Sequence, residues 1–204
     1  MSIWKSIFGP GQNEIWSGIA SELNAEFSSS GWLQRGRIDL IRKNIIISLD
    51  TYTVSSGKTS VTYTRMRSTF ENKSGLEMKI YRKNIFSWIG KLFGMQNISI
   101  GDNKFDDEYI LQGNPENDII KIFNDNSMKS LIRYQQDICF EIKKDNRWFI
   151  KKYPSGIEEL YFQCNGVIKD EKRLKMLFEL FIVTIDRLKK YNPGCNFSLN
   201  ILPK

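Results

Sequence analysis

Between residues 13 and 27, Ile15, Ile19 and Leu23 recur at i, i+4, flanked by Trp16, Ala20 and Phe27. That spacing predicts an amphipathic helix, with Ser28-Ser29-Ser30-Gly31 expected to end it. The period then drops to two. Arg37–Leu40, Asn44–Val54, Thr59–Phe70 and Leu76–Lys83 read as strands rich in β-branched residues, with turns at Ser55-Ser56-Gly57-Lys58 and Asn72-Lys73-Ser74-Gly75. The stretch Asn84–Met95 interrupts them with a compact apolar loop or a single helical turn. Ile98–Ile100 and Tyr109–Gln112 are expected as short strands around an acidic turn, Asp102–Glu108.

Asn114-Pro115-Glu116 has the order of a helix start, with Asn at the cap and Pro at the first helical position. Helices are predicted at 115–124 and 128–135, followed by strands at Ile138–Lys143, Arg147–Tyr153 and Glu158–Gln163. Asp170 opens the longest helix, which runs to Tyr191 and stops before Pro193-Gly194. Its apolar stripe (Leu174, Leu177, Phe178, Phe181, Ile185, Leu188) is widened by Met176, Leu180 and Val183, enough to meet a sheet and a second element or a partner chain. The pattern predicts one α+β domain over residues 1–204: a mainly antiparallel sheet with N-terminal and C-terminal amphipathic helices packed on it.

Composition narrows the chemistry. None of the 204 residues is histidine, which excludes Ser-His-Asp and Cys-His nucleophile systems and His-ligated metal sites, and no cofactor is expected. Cys139, Cys164 and Cys195 are widely spaced without a CxxC pair, so buried inert thiols are the expectation. Glu179 and Asp186 interrupt the longest apolar helical run, and the start MSIWKSIFGPGQ lacks a secretion signal's apolar stretch. Both point to a cytoplasmic protein with no transmembrane segment.

The net charge of +7 is uneven: residues 31–100 hold twelve Lys/Arg against four Asp/Glu. At strand period Tyr63, Arg65 and Arg67 share a face, as do Lys79, Tyr81 and Lys83. Cations interleaved with aromatics can follow a phosphate backbone and stack on bases, and the same alternation keeps an exposed sheet face soluble. Ser55–Ser60 (SSGKTS) mimics a phosphate loop, but Tyr52 stands where the first glycine belongs and a strand follows in place of a helix. Asp102, Asp106, Asp107 and Glu108 are candidates for a hard cation, against a solvated turn with Phe105 tucked inward. Trp4 with Phe8 and Trp88 with Phe93 each precede a glycine beside lysine. They are candidates for packing on the core, for peripheral membrane contact or for docking a partner.

The run Asp102…Phe105-Asp106…Tyr109-Ile-Leu-Gln-Gly113-Asn114, the capped helix after it and the strands to Tyr153 resemble a small uncharacterised bacterial family of unknown function. In that family an FD-x-x-[FY] turn precedes a strand, a short helix pair and a hairpin. The resemblance spans residues 95–165, implies a fold class and carries no activity. The leading functional expectation is a non-enzymatic intracellular binding or scaffold module, contacting a protein partner or self-associating through the C-terminal helix. The alternatives are a nucleic-acid or nucleotide binder on residues 58–83 and a carboxylate-dependent metal enzyme.

Overall fold

The structure is a computed structural model that describes residues 11–30, 35–83, 96–144 and 153–197. Trp4, Phe8, Trp88, Phe93 and the expected strand before Tyr153 lie outside them.

Helix α1 (Gln12–Leu23) leads into β1 (Glu26–Ser30), β2 (Arg35–Arg42), β3 (Ile45–Ser56), β4 (Thr59–Asn72) and β5 (Glu77–Arg82). Then come β6 (Asn97–Ile98), α2 (Asn103–Glu108), β7 (Tyr109–Asn114), α3 (Glu116–Phe123), α4 (Asn126–Tyr134), β8 (Cys139–Lys143), β9 (Ile157–Asn165), α5 (Glu171–Tyr191) and β10 (Cys195–Asn196). The strands form one sheet in the order β1-β2-β3-β4-β9-β8-β5-β7-β6, with β10 on β4, and every strand pair is antiparallel. The α+β architecture is the one the periodicity predicts.

Strand alternation is carried across the whole sheet. Phe27, Ile38, Leu49, Met66, Phe162, Phe140, Ile80, Leu111 and Ile98 stand opposite one another in register, one from each strand of the order. One residue along, Glu26, Asp39, Ser48, Arg67, Tyr161, Glu141, Lys79, Gln112 and Asn97 form a second row, and all of these are polar. Successive residues of a strand point to opposite faces, so the first row belongs to an apolar face and the second to a polar one. The helices cover the apolar face: Trp16 and Ile19 of α1, Ile119 and Ile122 of α3, Met128 and Ile132 of α4, and Leu177 and Phe181 of α5 join one core with the sheet. Phe181 meets Phe140 with ring centroids 5.3 Å apart. The wide stripe of α5 is used in this way, with Met176 and Val183 half-buried against the same core.

Three local readings are corrected. Helix α1 stops at Leu23, because Asn24 adopts a left-handed conformation (φ 52°) that ends the helix. The chain re-enters as β1, so Phe27 is a strand residue opposite Ile38. Residues 103–108 are a helix where a turn was expected, since the Asp102 side chain caps it and Phe105 is buried. Helix α3 begins one residue later than its sequence pattern suggests, with Pro115 at the cap and Asn114 ending β7. Gly113 is required there: a Cβ would stand 2.4 Å from the Glu77 carbonyl and 2.8 Å from Ile119, so β7 could not sit between β5 and α3.

Asp125 caps α4 by accepting from the Ser127 and Met128 amides, and Arg187 of α5 lies 2.8 Å from its other oxygen. The Met128 amide hydrogen bond, followed by that of Arg187, holds the Asp125 carboxyl below its ordinary value despite opposing burial. The Lys129 hydrogen bond and the Phe105 amide do the same for Asp102. A depressed folded-state value stabilises the fold above the ordinary carboxylate range, and that contribution is lost as pH falls through the folded value. Asp102→Asn with Asp125→Asn is therefore expected to lower the urea midpoint at neutral pH, and the deficit should close once the pH is well below about 3.9. An equal deficit at both ends of a pH series would contradict this.

Candidate functional site

The polar face is the candidate site, and it is built from ion pairs and the hydrogen bonds that extend them. Asp50 on β3 binds two guanidinium groups of β4: Arg65 donates to it through Nε and Nη2 (3.1 Å), and Arg67 through Nη2 (2.7 Å). Arg67 is completely buried and lies 3.6 Å from Glu159 of β9, whose Oε1 also accepts from the Tyr153 hydroxyl at 2.6 Å. On β2, Arg37 donates to Asp39 at 2.7 Å and to Ser48 at 3.0 Å, and the Ser48 hydroxyl donates to Asp39. On the far side Lys79 pairs with Glu141 at 3.0 Å. Burial alone would disfavour these charges. Opposite charges placed across neighbouring strands, about 5 Å apart, make them tolerable.

Aromatic side chains fill the space between the ions. Tyr52 and Tyr63, opposite each other on β3 and β4, stack with centroids 5.2 Å apart, and the Arg65 guanidinium lies 5.0 Å from the Tyr52 ring. The hydroxyls of Tyr52 and Tyr161 both donate to Gln163 Oε1, at 2.7 and 2.8 Å. Burial, then the hydrogen bond with Tyr52, pushes the Tyr161 hydroxyl well above its ordinary value, and burial raises Tyr52, so both remain donors at neutral pH. Lys143 Nζ lies 4.0 Å from the Tyr161 ring centroid. Cys139 belongs to this face, and burial pushes its thiol up to about 12; it is buried and free, as are Cys164 and Cys195. These thiols are therefore poor nucleophiles.

The residues singled out from periodicity fall into this arrangement. Tyr63, Arg65 and Arg67 do share a face, and so do Lys79 and Tyr81, but β9 and β8 stand between the two sets. Arg67 and Lys79 lie in one transverse row. Arg65 and Tyr81 lie in the next, joined through Gln163 and Cys139. Lys83 is exposed just beyond β5. Arg65, Arg67 and Lys79 each face a carboxylate, so the cations of the face are paired: Arg37 with Asp39, Arg65 and Arg67 with Asp50, Arg67 also with Glu159, and Lys79 with Glu141. Reading cations alone misses Asp50, Glu159, Tyr161 and Gln163. Their signal was the same period of two, in Asp50-x-Tyr52 and Glu159-x-Tyr161-x-Gln163.

Asp102 and Asp106 are committed locally. Asp102 accepts from the Phe105 amide and from Lys129, each at 3.0 Å, while Asp106 accepts from Ser99 Oγ and the Ile100 and Gly101 amides. Among the described residues no group of three or more Cys, Asp or Glu is placed to hold a metal ion, Asp107 and Glu108 included. Ser55–Ser60 forms the tip of the β3–β4 hairpin, with Gly57 at φ 58° in the turn. Among the described residues no helix is long and apolar enough to cross a membrane. No family model, curated protein or solved structure matches the chain.

Proposed function

We propose that the protein is a non-enzymatic binding module that uses the polar face of its sheet, around Arg37, Asp50, Tyr52, Tyr63 and Arg65, to hold a protein segment. The observation that carries this is the half-exposed cluster of arginine and stacked tyrosine beside a buried ionic layer. Arginine and tyrosine dominate binding energy at protein contacts, and side chains already held by neighbours lose little entropy on binding. Charge balance favours a segment of mixed charge over a polyanion, because a phosphate would have to displace Asp50 from Arg65. The three free, buried thiols suit a reducing cytoplasm.

Selection of a random peptide library on the full chain tests this. The expected result is enriched peptides whose binding drops at least about tenfold in Tyr63→Ala and in Arg37→Ala, a loss of about 1.4 kcal/mol. Failure to enrich any peptide over a Tyr63→Ala, Arg37→Ala double variant would overturn the reading. So would binding of a single-stranded oligonucleotide that weakens steeply with salt and requires Arg65, which is the behaviour of a phosphate-tracking face.

A further inference from the structure

One cluster on the helix side of the sheet takes no part in the polar face. Arg82 of β5 stands opposite Tyr109 of β7, two residues along from Ile80 and Leu111, so both lie on the face that the helices cover. Phe105 of α2 stacks on the Tyr109 ring with centroids 4.8 Å apart. The Arg133 guanidinium of α4 lies 5.7 Å from the Phe105 ring centroid. Arg82 also reaches the chain just after α4, donating to the Gln136 carbonyl at 3.4 Å. Two strands and two helices thus bring two guanidinium groups and a phenol together.

Three donors of this cluster lack an acceptor. Among the described residues, nothing accepts from the hydroxyl of Tyr109, a residue only 3 % exposed, or from Nε and Nη2 of Arg133, and all three atoms are buried. Buried hydroxyls and guanidinium nitrogens ordinarily find partners, because a bare donor keeps the whole cost of its desolvation. Asp102 does not meet the need of Arg133. Its Oδ1 stands 3.6 Å from Nη2 and accepts from the Phe105 amide at 3.0 Å, while Oδ2 accepts from Lys129 at 3.0 Å. Nε and Nη2 form one edge of the guanidinium, the fork that takes both oxygens of a carboxylate or phosphate at once.

The charges agree with an anion. Lys129 and Asp102 neutralise each other. Burial raises the Tyr109 hydroxyl above its ordinary value, with Glu108 and against Arg82 and Arg133, so it stays a donor at neutral pH. Two cations against one carboxylate leave a surplus positive charge around it. The Arg133 side chain is 32 % exposed, so the cluster reaches the surface there.

We propose that Arg133 and Tyr109, with Arg82 beside them, form a binding site for a small oxyanion, a ligand bearing a carboxylate or phosphate group. Two oxygens of the anion lie along the Nε–Nη2 edge of Arg133, and the Tyr109 hydroxyl donates to one of them. Arg82 adds its charge to the site. A water molecule would satisfy the hydroxyl, whereas an anion satisfies the fork and the surplus charge together.

Titration of the full chain with sodium acetate and with inorganic phosphate tests the site, at an ionic strength held constant with chloride. The NMR signals of the residue 82, 105 and 109 amides should shift saturably with at least one ion. Saturation by acetate alone assigns a carboxylate, and by phosphate alone a phosphate group. Tyr109→Phe should raise the dissociation constant at least about tenfold, the loss of one hydrogen bond to a charged acceptor. Arg133→Lys keeps the charge but removes the fork, and should raise it at least as far. Without either ion, Tyr109→Phe should be no less stable to urea than wild type, because the hydroxyl it removes has no partner. No saturable shift with either ion, or equal affinity in Tyr109→Phe and wild type, overturns the proposal. So does a Tyr109→Phe chain less stable than wild type in the absence of both ions, since its hydroxyl would then already be satisfied. The peptide selection reads the opposite face of the sheet, so either proposal can fail alone.

Discussion

Replacing Arg67 by methionine is expected to lower folding stability by about 3–5 kcal/mol, the cost of taking the buried guanidinium away from Glu159 and one of two guanidinium groups away from Asp50. Arg67 is fully buried between Asp50 and Glu159, whose side chains are 13 % and 8 % exposed. Removing it strands negative charge in the middle of the sheet. Equilibrium urea unfolding should show a lower midpoint at an unchanged slope, since little of the surface exposed on unfolding is altered. Adding Glu159→Gln to Arg67→Met should recover part of the loss, because it removes the buried carboxylate that faced Arg67 and leaves Asp50 on Arg65. A single variant within about 0.5 kcal/mol of wild type would mean that water reaches this layer and screens it.

Trp16→Ala is expected to cost a similar amount, about 3–5 kcal/mol, for a different reason. Trp16 is completely buried on α1, and its indole Nε1 donates to the Ile168 carbonyl at 2.9 Å. The side chain therefore fills the core and pins α1 to the segment between β9 and α5. Trp16→Phe keeps much of the volume and loses the donor, so its cost should be the smaller, about 1–3 kcal/mol for a buried carbonyl left without a partner. Thermal or urea unfolding of the two variants separates the contributions. A Trp16→Ala protein of near wild-type stability would show that α1 adds little to the core.

Much of this was legible in the chain before any coordinates. A period of two marked β3, β4, β5, β8 and β9, and a period near four marked α1 and α5, because one buried face leaves that imprint on each element. Asp170 was readable as the start of α5, and its side chain does accept from the Arg173 amide. The Ser55–Ser60 turn was readable from Tyr52 and from the threonine strand that follows. Less legible was the acidic stretch at Asp102–Glu108. Its carboxylates look alike in sequence, yet Asp102 caps α2 and binds Lys129 of α4, while Asp106 ties back to Ser99, Ile100 and Gly101.

The candidate site divides along the same line. By itself the sequence determined which residues of each strand share a face, and so that Arg65 and Arg67 stand together, because side-chain alternation is a local property of extended backbone. It also determined the β3–β4 hairpin, whose two arms are joined by the short turn at Ser55-Ser56-Gly57-Lys58. Only the tertiary structure decided what Arg67 faces. Strand order placed β9 between β4 and β8, and this brought Glu159, Tyr161 and Gln163 beside cations far away in the chain. Strand neighbours of that kind follow from packing the nine apolar positions of one transverse row, eight of them buried, against one core at once, a condition on the whole core that no single segment carries.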